Sequence, residues 1–260
     1  MRKISFTGST PVGKRLLAQA ASGVLRTSME LGGNAPFLVF EDADLDQAVA
    51  GALQAKFRNI GQACTAANRF LVHRSVAGEF TRRVTERVAA FKTGRGTEPG
   101  VVIGPVIDDR AVAKTGELVA DALARGATLH TGGAAIEGPG TFYAATVIGD
   151  VAPGSALLSE EIFGPVLAIS TFDDEDQAVA LANDTEYGLV SYAYTRDLAR
   201  THRLIERLHT GMMGVNVGVV SNAAAPFGGW KQSGLGREGG AEGIQEYLQS
   251  KYTLIADPFA

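Results

Sequence analysis

The chain has 260 residues, of which 45% are hydrophobic, and a formal net charge of −4 with acidic and basic residues interspersed. This composition suits a globular chain of one or two domains, and the lack of a basic stripe or polybasic cluster argues against nucleic acids and membrane surfaces as partners. A single cysteine excludes an intramolecular disulfide. The first residues also lack the apolar core of a signal peptide, so we expect a cytoplasmic protein.

Short β-branched runs alternate along the chain with longer segments of helical periodicity. This alternation predicts an α/β fold in which a parallel, open sheet carries helices on both faces. Strands are predicted over 4–6, 24–31, 37–40, 69–73, 166–172, 189–195 and 211–216. Helices are predicted over 10–22, 44–59, 75–91, 109–125, 174–183, 197–208 and 240–249. Segment 93–105 is predicted to be a loop, and the uncharged stretch 210–230 a strand followed by a loop rather than a transmembrane helix.

The first predicted strand runs through a glycine turn into a helix, in the segment ISFTGSTPVG. Free N–H groups and the positive dipole end at such a helix start attract phosphate. Thr10 is predicted to cap this helix, with Pro11 in its first turn. The pattern is not GxGxxG, so an ordinary strand–helix turn stays open as the alternative.

Glu30 stands at the end of a predicted apolar strand, in the segment MELGGNAP. A carboxylate at such a strand end tends towards a raised pKa, which a general base acting near neutral pH needs. A solvated glutamate beside a turn is the alternative interpretation.

Cys64 follows a predicted helix in the glycine-containing loop segment GQAC. A lone cysteine is often an inert, buried apolar residue. At an element boundary, however, we expect Cys64 to be exposed, with backbone N–H groups available to stabilise an oxyanion. The position favours a nucleophile.

Two later segments complete a set of ordered motifs: SEEIFGPV (159–166) and the glycine-dense PFGGWKQSGLGREGG (226–240). Together with FTGSTPVGK, MELGGNAP and FRNIGQAC, they resemble the aldehyde dehydrogenase superfamily. The spacing also matches, since Glu30 precedes Cys64 by 34 residues. The resemblance covers essentially the whole chain.

The resemblance implies oxidation of an aldehyde with NAD or NADP as cofactor. Cys64 would attack the aldehyde to give a thiohemiacetal, and its backbone N–H would supply half of the oxyanion hole. Hydride transfer to the nicotinamide would leave a thioester, which a water molecule activated by Glu30 would hydrolyse.

The cofactor site is also implied by the resemblance. Gly8 and Ser9 would lie beside the cofactor, Glu161 would hold the nicotinamide ribose, and Phe163 would pack near the nicotinamide ring. No metal is implied, and the scattered histidines form no ligand pair.

The segments KFRNIGQAC and GVNVGVVSNAAAPFGG resemble the succinate-semialdehyde dehydrogenase branch of that family. This likeness implies that Arg58 and Ser221 hold the distal carboxylate of the substrate. A guanidinium suits this role because it donates two parallel hydrogen bonds to a carboxylate. A solvated arginine at a helix end is the alternative interpretation of Arg58.

Family members are roughly twice as long as this chain. The resemblance therefore implies that the chain corresponds only to their C-terminal catalytic half. We expect residues 1–31 to be a remnant of the dinucleotide-binding domain, 32–235 the catalytic domain, and 236–260 a C-terminal helix and a strand that forms a homo-oligomer. Two other functions stay open. One is a truncated, inactive chain that serves at most as an interaction module, and the other is a cysteine hydrolase that pairs Cys64 with a distant histidine.

Overall fold

The computed structural model describes residues 1–257. Its strands are β1 (Lys3–Thr7), β2 (Arg26–Glu30), β3 (Ala35–Val39), β4 (Ala67–His73), β5 (Lys92–Thr93), β6 (Val101–Ile103), β7 (Thr128–Thr131), β8 (Thr146–Gly149), β9 (Val166–Phe172), β10 (Tyr187–Gly188), β11 (Val190–Tyr194), β12 (Met212–Val215), β13 (Trp230–Lys231) and β14 (Gly234–Leu235). Its helices are α1 (Thr10–Ala21), α2 (Leu45–Phe57), α3 (Arg74–Ala89), α4 (Asp109–Ala124), α5 (Ala156–Ser159), α6 (Glu175–Asn183), α7 (Leu198–Arg207) and α8 (Glu242–Gln245), with a 3₁₀ helix over Arg58–Gly61.

The main sheet within residues 1–257 has seven strands in the order β12-β11-β3-β4-β9-β8-β7. All neighbours are parallel except β7, which runs antiparallel to β8 at the edge. The prediction of a parallel open sheet in an α/β fold is therefore confirmed, with one antiparallel edge strand added.

Side chains alternate between the two faces of this sheet, as the pleat of a strand requires. Phe37 and Val39 of β3 pack in the cluster that includes residues of α2 and α3. Leu38 and the following Phe40 pack instead with residues of α6 and α7. Helices thus cover both faces, and β3 is buried at every position.

A second, three-stranded sheet has the order β1-β2-β14, so it joins the first two strands of the chain to the last one. Strands β1 and β2 are parallel and are joined through α1, and β14 returns antiparallel to β2. The register places Gly234 of β14 opposite Glu30. The late glycine-rich motif therefore lies beside the early glutamate motif.

Several predicted boundaries are wrong. The predicted loop 93–105 contains β6, and strands β7 and β8 were not predicted. The helix predicted over 240–249 is confined to Glu242–Gln245, where Gly239 and Gly240 adopt φ values of +67° and +58° just before it. No strand is formed from 246 to 257, and residues 258–260 of the expected oligomerisation strand lie outside the described residues. Pairing of that strand with a neighbouring subunit stays a prediction.

Stretch 210–230 forms β12, a loop and the start of β13, as predicted. No helix in the described part of the chain is long and apolar enough to cross a membrane.

Candidate active site

Cys64 lies in a turn between the 3₁₀ helix and β4. Just before it, Asn59 and Ile60 adopt left-handed φ values of 51° and 52°, a conformation that is rare for a β-branched residue. Cys64 is half-buried rather than exposed as predicted. One reason is Gly33, because a Cβ atom there would collide with the Cys64 carbonyl oxygen, and glycine lets the two loops approach this closely.

The surroundings of Cys64 keep its thiol protonated. Burial raises the pKa of the Cys64 thiol, and the negative charges of Glu161 and Glu30 raise it further. The backbone N–H groups of Cys64 and Thr65 favour the thiolate and oppose this shift. Since the thiolate is the nucleophilic form, Cys64 needs a base to react.

Glu30 ends β2 and is only 5% exposed. Its Oε2 atom has no hydrogen-bond partner among residues 1–257. Burial raises the pKa of Glu30 to about 8, the Glu238 charge adds to this rise, and Arg237 opposes it. A raised pKa was expected from the sequence, and this value suits a base that works slightly above neutral pH.

A cleft of about 660 Å³ runs between the three-stranded sheet β1-β2-β14 and α4. It brings together six of the residues singled out from the sequence, which are Gly8, Ser9, Glu30, Cys64, Glu161 and Phe163. Four separate motifs thus meet in one cavity, although they are spread over more than 150 residues of sequence.

The N-terminus of α1 opens on this cleft. Thr10 was predicted to cap α1, but it is the first helical residue, and the cap residue Ser9 makes no side-chain capping bond. The Thr10 hydroxyl instead accepts from the Gly32 N–H at 3.2 Å and donates to the Gln232 carbonyl at 3.3 Å. Thr10 therefore fixes the β2–β3 loop, and the helix start keeps backbone N–H groups without a side-chain cap.

Glu161 also lines the cleft. Its Oε1 atom accepts from the Gly33 N–H at 3.0 Å, and its own carbonyl accepts from Lys114 Nζ at 2.6 Å. Burial raises the pKa of Glu161, against the hydrogen bond from Gly33 and the charges of Lys114 and Lys56. Phe163 follows at a left-handed φ of 52° and is 39% exposed.

The two predicted substrate-binding residues, Arg58 and Ser221, do not line this cleft. Arg58 is exposed at the end of α2 and makes no ion pair within residues 1–257. Its charge acts on Tyr192, whose hydroxyl donates to the Thr65 carbonyl beside Cys64. Ser221 is exposed in the loop after β12.

Sequence reasoning missed three charged residues that act on the site. Glu238 belongs to the quoted glycine-dense motif, so a signal was present. Lys114 sits in the predicted helix 109–125 without any motif. Lys56 was quoted beside Arg58, but nothing in the sequence indicated that it is fully buried, that it donates to Asn68 Oδ1 at 3.0 Å, or that burial lowers its pKa to about 7.

Comparison with known proteins agrees with the motifs. The profile of the Aldehyde dehydrogenase family matches residues 1–253. A succinate-semialdehyde dehydrogenase of Paenarthrobacter nicotinovorans is 59% identical over 100% of this chain and 58% of its own length. The NADP(+) succinate-semialdehyde dehydrogenase of Escherichia coli strain K12 is 50% identical, with 98% of this chain and 53% of its own length covered.

A solved structure shows the same fold. The succinate-semialdehyde dehydrogenase from Burkholderia pseudomallei superposes with a TM-score of 0.94 at 51% identity, over 95% of this chain and 51% of that one. The chain therefore spans about half the length of the relatives that it matches.

Proposed function

The chain belongs to the aldehyde dehydrogenase family, and on that basis we propose that it oxidises an aldehyde carrying a distal carboxylate, such as succinate semialdehyde, through a covalent adduct on Cys64. One observation carries this proposal. A half-buried thiol and a buried carboxylate with an unpaired oxygen open on the same cleft as an uncapped helix N-terminus.

Cys64 begins the reaction. Glu30, in its ionised form, takes the thiol proton, and the sulfur attacks the aldehyde carbon. The Cys64 backbone N–H stabilises the oxyanion that forms, because it is fixed by the turn and requires no reorganisation. After oxidation the substrate is a thioester on Cys64. Glu30 releases the thiol proton to solvent and, ionised again, takes a proton from a water molecule that attacks the thioester. The carboxylic acid leaves, and the Cys64 thiolate takes up the proton held by Glu30.

The residues of the cleft fit NAD or NADP. The N-terminus of α1 at Gly8 and Ser9 suits a phosphate group. The Glu161 carboxylate, fixed through Gly33, suits ribose hydroxyl groups, and the partly exposed Phe163 ring offers an apolar surface to the nicotinamide. The bound nicotinamide would supply the hydride acceptor, and the protein positions the thiol.

In this proposal Arg58 determines the selectivity for the substrate. Its guanidinium is exposed and makes no ion pair in the described part of the chain, so it is free to pair with the distal carboxylate. Ser221 is proposed to assist it. An aldehyde that lacks the carboxylate would not form this charge-assisted pair and would bind more weakly.

The two competing functions have less support. A cysteine hydrolase would need a histidine beside Cys64, and the residues lining the cleft include none. An inactive chain would not need a carboxylate whose pKa is raised towards neutrality, which is typical of working active sites. The three-domain division, the cytoplasmic location and the homo-oligomer remain predictions, and light scattering of the purified chain tests the last.

Absorbance of reduced nicotinamide tests the proposal, with succinate semialdehyde and each of NAD and NADP. We expect turnover that is absent in Cys64→Ser, and a preference of about 100-fold or more over butanal, which has the same chain length without the carboxylate. In parallel, p-nitrophenyl acetate should acetylate Cys64 without any cofactor, as seen by mass spectrometry. If the chain is folded by circular dichroism and gives neither signal, it is the inactive form.

A further inference from the structure

The turn that carries Cys64 is fixed from outside by a single side chain. The Ala66 N–H donates to the Ala63 carbonyl at 3.0 Å, so Cys64 and Thr65 occupy the centre of a tight turn. The backbone N–H groups of these two residues lower the pKa of the Cys64 thiol, against the effect of burial. Among residues 1–257, the only side-chain hydrogen bond to residues 63–66 comes from the Tyr192 hydroxyl, which donates to the Thr65 carbonyl at 2.9 Å.

Tyr192 is itself rigidly held. It lies in β11, is 2% exposed, and is paired in register with Phe37 on one side and Gly214 on the other. The Phe37 and Tyr192 rings are 5.9 Å apart. Because an aromatic side chain has few rotatable bonds and this one is packed in the core, its hydroxyl occupies a defined point beneath the turn.

The same hydroxyl lies within the electrostatic reach of both ends of the proposed substrate site. Burial raises the pKa of Tyr192 to about 12, the positive charge of Arg58 opposes this rise, and Cys64 adds to it. The hydroxyl therefore stays protonated, and remains a donor, throughout the pH range in which the thiol reacts.

We propose that Tyr192 is a positioning residue, whose hydroxyl fixes the 63–66 turn and so orients the Cys64 sulfur beside the backbone donors that stabilise it. This inference rests on the proposed function, in which Cys64 is the nucleophile. Tyr192 would thus act in the reaction although it does not line the cleft.

Tyr194 provides a matched control. It lies on the same face of the same strand, is 1% exposed, and stacks on Phe37 with ring centroids 4.9 Å apart. Burial raises the pKa of Tyr194 to about 12 as well. Its hydroxyl lies against Gly51 of α2 rather than the Cys64 turn. Tyr192→Phe and Tyr194→Phe thus remove the same atom from the same core.

The test is the rate at which iodoacetamide alkylates Cys64 between pH 7 and 10 in the full chain. Tyr192→Phe should slow alkylation about 5- to 10-fold and shift its pH midpoint upwards, because one hydrogen bond that orders the donors is lost. Tyr194→Phe should stay within about 2-fold of the wild type. Hydrogen exchange at the Ala66 amide should accelerate only in Tyr192→Phe.

Equal alkylation rates and midpoints in the wild type and Tyr192→Phe, with equal exchange at Ala66, would overturn the inference. That result leaves the proposed function intact, which fails separately if wild-type Cys64 is not acetylated by p-nitrophenyl acetate. A thermal melt of both variants separates positioning from stability, since a merely structural role would expose the thiol and speed alkylation in both, in proportion to their loss of stability.

Discussion

Two groups of charged side chains in this molecule have opposite surroundings. On α6 and α7, Glu175 accepts hydrogen bonds from Arg203 at 2.6 and 2.7 Å, which lowers its pKa, and Arg200 also pairs with it. In the cleft, Glu30 is buried and makes no ion pair with any cation among residues 1–257, and its pKa is raised to about 8. Arg58 likewise makes no ion pair in the part of the chain that the structure describes, whereas Arg200 pairs with three carboxylates.

The pairing of a carboxylate decides whether it stabilises the fold or can act as a base. A paired carboxylate is held in its ionised form and stabilises the fold, but it is a poor base. A buried, unpaired carboxylate costs folding free energy and becomes a base near neutral pH. A substitution in one group therefore has a matched control in the other group.

The largest effect is expected from Glu30→Gln. The amide cannot take a proton from the thiol or from water, so acetylation of Cys64 should be slower than in the wild type, and hydrolysis of acetyl-Cys64, once formed, should slow by about 10²- to 10⁴-fold. Mass spectrometry after p-nitrophenyl acetate treatment measures this. Glu175→Gln should hydrolyse its adduct at the wild-type rate, and an equal slowing in both variants would mean that the loss is not specific to the base.

Arg58→Gln should change selectivity rather than stability. Without the guanidinium, the preference for succinate semialdehyde over butanal should fall about 10- to 100-fold, mostly through KM. Steady-state kinetics with both aldehydes measures it. Arg200→Gln should leave the preference unchanged and lower the melting temperature instead, and an unchanged preference in Arg58→Gln would remove Arg58 from the substrate site.

The smallest effects concern stability. Ionised Glu30 is disfavoured in the fold, and this penalty grows as the pH rises from its ordinary pKa through about 8. Glu30→Gln should therefore raise the free energy of unfolding by about 5 kcal/mol at pH 9 and by nothing at pH 4. Urea unfolding at both values checks this, and a variant less stable than the wild type at pH 9 would contradict it.

Glu175→Gln should behave in the opposite way. It should lose roughly 2 kcal/mol at pH 7, because a charge-assisted pair is broken. The difference should shrink as the pH falls from the ordinary pKa of a glutamate through the lowered pKa of Glu175, where the wild-type pair is also lost. The same urea experiment at pH 7 and pH 3 measures it.

The sequence indicated much of this arrangement because the fold and the site depend on local signals. The alternation of β-branched runs with segments of helical periodicity predicted the central strands. The ordered motifs predicted six residues that share one cleft. Strand β7 was missed because it is a mostly exposed edge strand containing His130, without an apolar alternation. Tyr192 and Lys114 were missed because their contacts join residues 127 and 47 positions apart, which no local pattern records.

The pH dependence of acetyl-Cys64 hydrolysis tests most directly the claim that an unpaired, buried Glu30 acts as the base. In the wild type the rate should increase about tenfold per pH unit and level off above about 8, where Glu30 is ionised. Glu238→Gln should move this midpoint downwards, because the Glu238 charge contributes to the raised pKa. A wild-type midpoint near 4.5, or an unchanged profile in Glu30→Gln, would contradict the account.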